Sequence, residues 1–244
     1  MDATLSRLKT RDIPPVPSDI LRSLRDRRVT LVPFEECVRV IFDPALRTEN
    51  GVAEFGDGSF TASVSCPMHG VTPEMIQWWI WWFPQDVERF RVWLPDTNFE
   101  VTYSENDIDF FTADDVPPFR PVTLYPNQVV GEINLPFRID LVMPEDFGIT
   151  EEDIVKAGNP LVICGRMMAR KGKLLISDFL YVVFPTEYGC LFSARLWVGR
   201  ISSSLVQRLL FLNEKRVVGM AETCYRLFAC LDGVLPELYT VRNK

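Results

Sequence analysis

Three apolar runs of β type, at 161–169, 174–184 and 190–198, follow one another with only a Lys-Gly pair at 171–172 and a Tyr-Gly pair at 188–189 between them. Short runs punctuated in this way predict an antiparallel meander. From about 203 to 231 the apolar spacing becomes helical, with Gly219 inside the segment and Gly233 ending it, so one long amphipathic helix is expected there. Upstream, 59–66 and the alternation Phe99, Val101, Tyr103 predict strands, and 129–143 predicts another, which Pro136 confines to an edge or a bulge. Thr150 and Asp153 ahead of Ile154 have the form of a capped short helix, and the Asn-Gly and Gly-Asp-Gly signals within 49–58 mark turns. Strands first and one long helix last give an α+β class: a curved antiparallel sheet with the C-terminal helix laid across it, leaving a cavity between them. Residues 1–50 are polar and helical in pattern, broken by Pro14, Pro15, Pro17 and Pro33, with an Arg-rich stretch at 21–28. They are expected to form an N-terminal helical extension to a ligand-cavity domain at 51–244.

The densest chemistry lies at 72–98, where five of the six tryptophans fall within sixteen positions. Thr72 suits a helix N-cap and Pro73 the first turn, which would set Met75, Trp78, Trp79, Trp82 and Phe83 on one face. So many indoles exceed what a single helix face buries, so a second surface such as a ligand pocket is expected. The acidic, proline-bearing segment 106–121, with Phe110, Phe111 and Phe119, has the form of a loop that covers a pocket.

Composition narrows the chemistry. A net charge of −7 and no basic patch argue against nucleic acid. The chain has no signal-peptide pattern and no apolar run of membrane-spanning length, which leads us to expect a cytoplasmic protein without a membrane partner. Six cysteines at scattered spacings read as reduced, buried thiols. His69 is the only histidine, so neither a conventional zinc site nor a histidine-based nucleophilic triad is well supplied.

Several segments together resemble the 2,4-diacetylphloroglucinol hydrolase family, which includes phloretin hydrolases. They are Met-His-Gly-Val-Thr-Pro-Glu-Met-Ile-Gln-Trp-Trp-Ile-Trp-Trp-Phe at 68–83, Trp-Leu-Pro-Asp-Thr-Asn at 93–98, Arg-Leu-Trp-Val-Gly at 195–199, Gly-Met-Ala at 219–221 and Leu-Pro-Glu-Leu-Tyr at 235–239. The resemblance implies a Bet v 1-like helix-grip domain, a smaller N-terminal helical part involved in forming a homodimer, and zinc-assisted hydrolysis of a carbon–carbon bond beside an aromatic ring. The family pattern has His at the end of the tryptophan helix, His at the end of the Trp-x-Pro segment, and His followed four residues later by Glu on the terminal helix. This chain carries Phe83, Asn98, Thr223 and Leu227 at those places, and a further family carboxylate aligns with Glu132. Phenylalanine and leucine cannot ligate zinc, and asparagine and threonine bind it poorly, so no cofactor is expected.

A cavity of that kind would hold an apolar small-molecule substrate. The leading expectation is a metal-independent cyclase or isomerase of natural-product biosynthesis, a pericyclase of Diels–Alder type, that works by confining a flexible substrate. The catalytic candidates are Asn98, Tyr103, Glu132, Arg166, Thr223 and Tyr225, with Trp78, Trp79, Trp82, Phe83, Phe99, Glu222 and Leu227 shaping the substrate site. Each polar candidate also has a purely structural reading: core tyrosines for Tyr103 and Tyr225, pairing of Arg166 with Asp178 across the hairpin, a solvent-facing Glu222, and a structural hydrogen bond for His69. Two alternatives stand beside the cyclase. One is a zinc-dependent carbon–carbon hydrolase of acylated phenolics, with an unconventional ligand set such as Glu132, Glu222, His69 and water. The other is a non-catalytic carrier of an apolar metabolite.

Overall fold

The computed structural model describes residues 2–169, 174–200 and 213–242. Its strands are β1 Gly51–Glu54, β2 Phe60–His69, β3 Asn98–Glu100, β4 Val122–Leu124, β5 Asn127–Val130, β6 Ile133–Val142, β7 Leu161–Ala169, β8 Leu175–Thr186 and β9 Gly189–Val198. They form one antiparallel sheet in the order β1-β2-β9-β8-β7-β6-β5-β3, with β4 paired to β6 off that path. The expected meander is β7–β9. Gly189 is required where it turns, because a Cβ there would meet the Met68 carbonyl oxygen at 2.4 Å.

The helices are α1 Asp2–Lys9, α2 Ser18–Asp26, α3 Arg39–Phe42, α4 Pro44–Arg47, α5 Pro73–Trp82, α6 Val87–Trp93, α7 Ile108–Phe111, α8 Glu151–Lys156, α9 Glu214–Asp232 and α10 Leu235–Val241. Thr72 caps α5 by accepting from the Met75 amide, and Thr150 with Asp153 forms the capping box of α8. Of the long helix expected over 203–231, the structure describes α9; residues 203–212 and the Lys-Gly turn at 171–172 lie outside the described residues. The single strand expected over 129–143 is instead a hairpin, because Gly131 sits at φ +61° and reverses the chain between β5 and β6.

Both faces of the sheet are buried. The inner face packs under α5 and α9, where Phe179, Phe192 and Leu196 meet Trp79, Met220 and Phe228 in the larger core. The outer face, carrying Cys164, Leu180, Val182 and Trp197, is covered by Cys37, Val40 and Ile41 together with Phe147. The N-terminal residues contribute to both cores, since Leu5, Leu8 and Leu24 join the inner one. Trp197 donates to the Val32 carbonyl (2.8 Å). The fully buried Arg195 donates to the Thr30 carbonyl (3.0 Å) and pairs with Glu49 (2.7 Å). Among the described residues no helix is long and apolar enough to cross a membrane.

Candidate functional site

Between α5, α9 and the inner face of the sheet lies a cavity of about 130 Å³. One face of α5 reaches it with Ile76, Trp79, Ile80 and Phe83, and α9 reaches it with Met220, Thr223, Cys224, Leu227 and Phe228. The sheet supplies Gln128 and Val130 from β5, Ile163 and Met167 from β7, Ser177, Phe179 and Tyr181 from β8, and Leu196 from β9. The helix face turned to the cavity therefore differs from the expected one. Trp78 and Trp82 stack on each other at 4.8 Å, Trp78 meets Tyr239 edge-on, and Arg89 lies over the Trp82 ring. Trp81 faces another neighbour, with its Nε1 donating to the Phe110 carbonyl at 2.8 Å. The crowded indoles are thus divided among separate surroundings.

Of the candidates named from sequence, the cavity gathers Trp79, Phe83, Thr223 and Leu227. The others lie outside its wall. Asn98 is buried, donates to the Phe90 carbonyl (3.1 Å) and accepts from Thr97. Phe99 is surface-exposed. The Tyr103 ring lies tilted against that of Phe111, with centroids 4.5 Å apart. Glu132 is exposed and paired with Lys215, which lowers its pKa. Arg166, on the outer face of β7, lies 3.6 Å from the buried Asp178, which Arg200 also holds at 2.9 Å. Burial raises the Asp178 carboxyl, and the two guanidiniums pull it back. Glu222 is half-buried on the flank of α9, and the Tyr225 hydroxyl is hydrogen-bonded to Cys66. His69 ends β2 on the surface with its ring 5.2 Å from Tyr188.

Thr223 reaches the cavity with its hydroxyl already committed. Its Oγ1 donates to the Gly219 carbonyl (2.9 Å) and accepts from the Gly131 amide (2.8 Å). The two glycines touch: a Cβ on Gly131 would lie 3.0 Å from the Gly219 backbone, and a Cβ on Gly219 would lie 3.0 Å from Gly131. Thr223 thus fastens the β5–β6 turn to α9. Thr223→Val leaves the Gly131 amide without its acceptor, and we expect a stability loss of about 1–3 kcal/mol, measured as a lower denaturant midpoint. An unchanged midpoint would show that the bridge contributes nothing.

The remaining polar groups are few. No Asp, Glu, Lys, Arg or His lines the cavity among the described residues. Tyr181 and Cys224 are hydrogen-bonded to each other, and burial raises the pKa of both, pushing the Cys224 thiol up to about 12. A thiolate nucleophile is therefore not available there at neutral pH. Ser177 donates to the Asp178 carbonyl. Among the described residues of the wall, the Trp79 indole N–H is fully buried without an acceptor, and the Gln128 amide, 8% exposed, also lines the cavity. Gln128 is the register partner of Asn98 across β3 and β5, so both project to the same side of the sheet. It went unnoticed in the sequence because the turn at Gly131 did. With β5 ending there, Gln128 takes the apolar phase shared by Val130, the one polar residue in it.

A model of the DAPG hydrolase PhiG domain matches residues 31–240. The chain belongs to this family. It is a family of hydrolases connected with secondary metabolism, and the resemblance read from the segments at 68–83 and 195–199 is the same one. No curated protein matches. Among solved structures, protein Ms6760 from Mycobacterium smegmatis is similar at a TM-score of 0.40 and 14% identity, over 76% of this chain and 96% of that one. A likeness that loose carries no functional argument.

The zinc implied by the family does not fit the residues present. Phe83, Thr223 and Leu227, three of the positions where the resemblance implies ligands, do converge on the cavity. However, two of them have no donor atom, and the Thr223 hydroxyl is occupied by backbone. Tetrahedral zinc needs three or four nitrogen, sulfur or carboxylate donors, and no group of three or more His, Cys, Asp or Glu suited to a metal occurs among the described residues.

Proposed function

We propose that this DAPG hydrolase family member is an enzyme of secondary metabolism that takes a neutral, mostly apolar ketone of the acylated-phenolic class into the cavity and hydrolyses the bond between acyl group and ring. The observation that carries the substrate class is the lining: aromatic and aliphatic walls without an ionised side chain, with the Gln128 amide and an indole N–H that has no acceptor. Family membership supports the reaction type. Buried donors such as the Gln128 amide and the Trp79 N–H suit a carbonyl oxygen, and in a water-poor chamber they would stabilise the charge that grows on it when water adds. The hydroxyl of that water ends on the acyl carbon and its proton on the ring carbon, giving a carboxylic acid and the deacylated phenol. We also propose a helix-grip fold of Bet v 1 type and a homodimer formed through the N-terminal helices.

A second reaction is favoured by Phe83 and Leu227 at the positions of family ligands. Apolar side chains there suit a metal-independent cyclase or isomerase, of Diels–Alder type, in which holding the reactive ends of a flexible substrate together lowers the barrier. The test is incubation of purified protein with 2,4-diacetylphloroglucinol, following acetate release before and after exhaustive chelation. Acetate release that survives chelation is expected, with Gln128→Leu lowering kcat roughly 10²-fold, the usual effect of deleting one such donor. Release abolished by chelation and restored by zinc would show that a metal is held after all. Absence of release, with faster rearrangement of a linear polyene, would favour the cyclase, and tight binding without either would make the protein a carrier.

A further inference from the structure

Next to the cavity lies a second, larger hollow of about 410 Å³ beneath the 116–119 segment, and the two share Ile80 of α5 and Ile163 of β7 as lining residues. We propose that the pair is a single two-chamber site, in which the ring of the ligand occupies the inner cavity and a linear, uncharged hydrocarbon chain passes between Ile80 and Ile163 into the outer groove. This rests on the reading of the inner cavity as a site for a neutral phenolic ketone.

Size is the first argument. An apolar cavity of about 150 Å³ accommodates benzene and little else, so an inner chamber of about 130 Å³ holds one ring. Substituents beyond that ring have to leave through a wall, and the shared isoleucines mark the place where a second hollow begins. Chemistry is the second argument. The outer groove is lined by Trp81, Phe110, Val116, Phe119 and Leu161, and its one indole donor is already satisfied by the Phe110 carbonyl. It offers a chain apolar contact and no hydrogen bond from that indole. Glu145 and Glu151, both exposed, are the charged members of its lining. They disfavour a chain that ends in a carboxylate, which distinguishes the occupant from a fatty acid.

The test is isothermal titration calorimetry of the full chain with monoacylphloroglucinols bearing acetyl, hexanoyl and decanoyl groups. Each methylene taken from water strengthens binding roughly fourfold, so the hexanoyl compound is expected to bind on the order of 10²-fold more tightly than the acetyl compound. Ile163→Trp and, at a half-buried position that accepts bulk more readily, Ile80→Trp fill the passage. Each is expected to remove the gain with chain length, read as the ratio of hexanoyl to acetyl affinity within the same variant. Equal affinity for all three compounds in the parent protein overturns the proposal, and so does a chain-length gain that survives in either folded variant. Failure of even the acetyl compound to bind removes the underlying reading of the inner cavity and this inference with it.

Discussion

Replacing Arg195 by methionine lowers the stability of the protein by about 3–5 kcal/mol, the usual cost of removing one partner from a buried ion pair. Arg195 is inaccessible to solvent at the centre of β9, and burial lowers its pKa against the opposing pull of Glu49. Its two terminal nitrogens reach out of the sheet to Glu49 and the Thr30 carbonyl. Glu49 also accepts from the Thr30 amide (3.1 Å). The three residues therefore tie the segment before α3 and the segment before β1 to the outer face of the sheet. In the methionine variant Glu49 Oε2 and the Thr30 carbonyl both lose the Arg195 donor, and hydrophobic burial of the new side chain returns only part of the loss. Denaturant unfolding measures the effect, and Arg195→Met combined with Glu49→Leu should recover part of it, because the stranded carboxylate is gone. A single variant within about 1 kcal/mol of the parent would mean that the pair contributes little.

Trp79→Ala is the second large effect, again about 3–5 kcal/mol. Trp79 is fully buried and contacts three rings: Phe83 at 5.8 Å, Trp82 at 5.6 Å and Trp93 edge-on at 5.7 Å. Truncation leaves these partners facing a void that merges with the cavity, and such a void collapses only in part. Trp79→Phe separates packing from hydrogen bonding. It keeps an aromatic ring and deletes a buried donor without a partner, whose presence costs about 1–3 kcal/mol in the ligand-free protein. We therefore expect the phenylalanine variant to unfold at a midpoint close to the parent's while binding the phenolic ketone more weakly. Equal ligand affinity in parent and Trp79→Phe would show that the indole N–H does not meet the ligand.

The meander at 161–198 was legible because strand period and turn residues agree there, and β7 runs over Leu161–Ala169 as the pattern indicates. The caps at Thr72 and Thr150 were legible for the same local reason. The hairpin at Gly131 was not, since 129–143 is apolar enough to pass for one strand and the turn rests against Gly219, far away in the sequence. The site followed the same division. Phe83, Thr223 and Leu227 could be placed together only through family positions, and the structure brings them to one cavity. Which tryptophan would face that cavity could not be read from spacing, because α5 is apolar nearly all round and its neighbours decide: α10 takes Trp78, the 110 segment takes Trp81, and Trp79 is left to the chamber. The covering of the outer face by residues 32–41 was also hidden, since a polar, proline-broken pattern gives no sign that Val32, Val40 and Ile41 are fully buried.

The glycine pair where the β5–β6 turn meets α9 determines which part of the chamber can breathe. Main chain rests on main chain there, with no rotamer to flip and Thr223 stitching the two together. That end cannot widen without parting the two glycines and breaking the hydrogen bonds of Thr223.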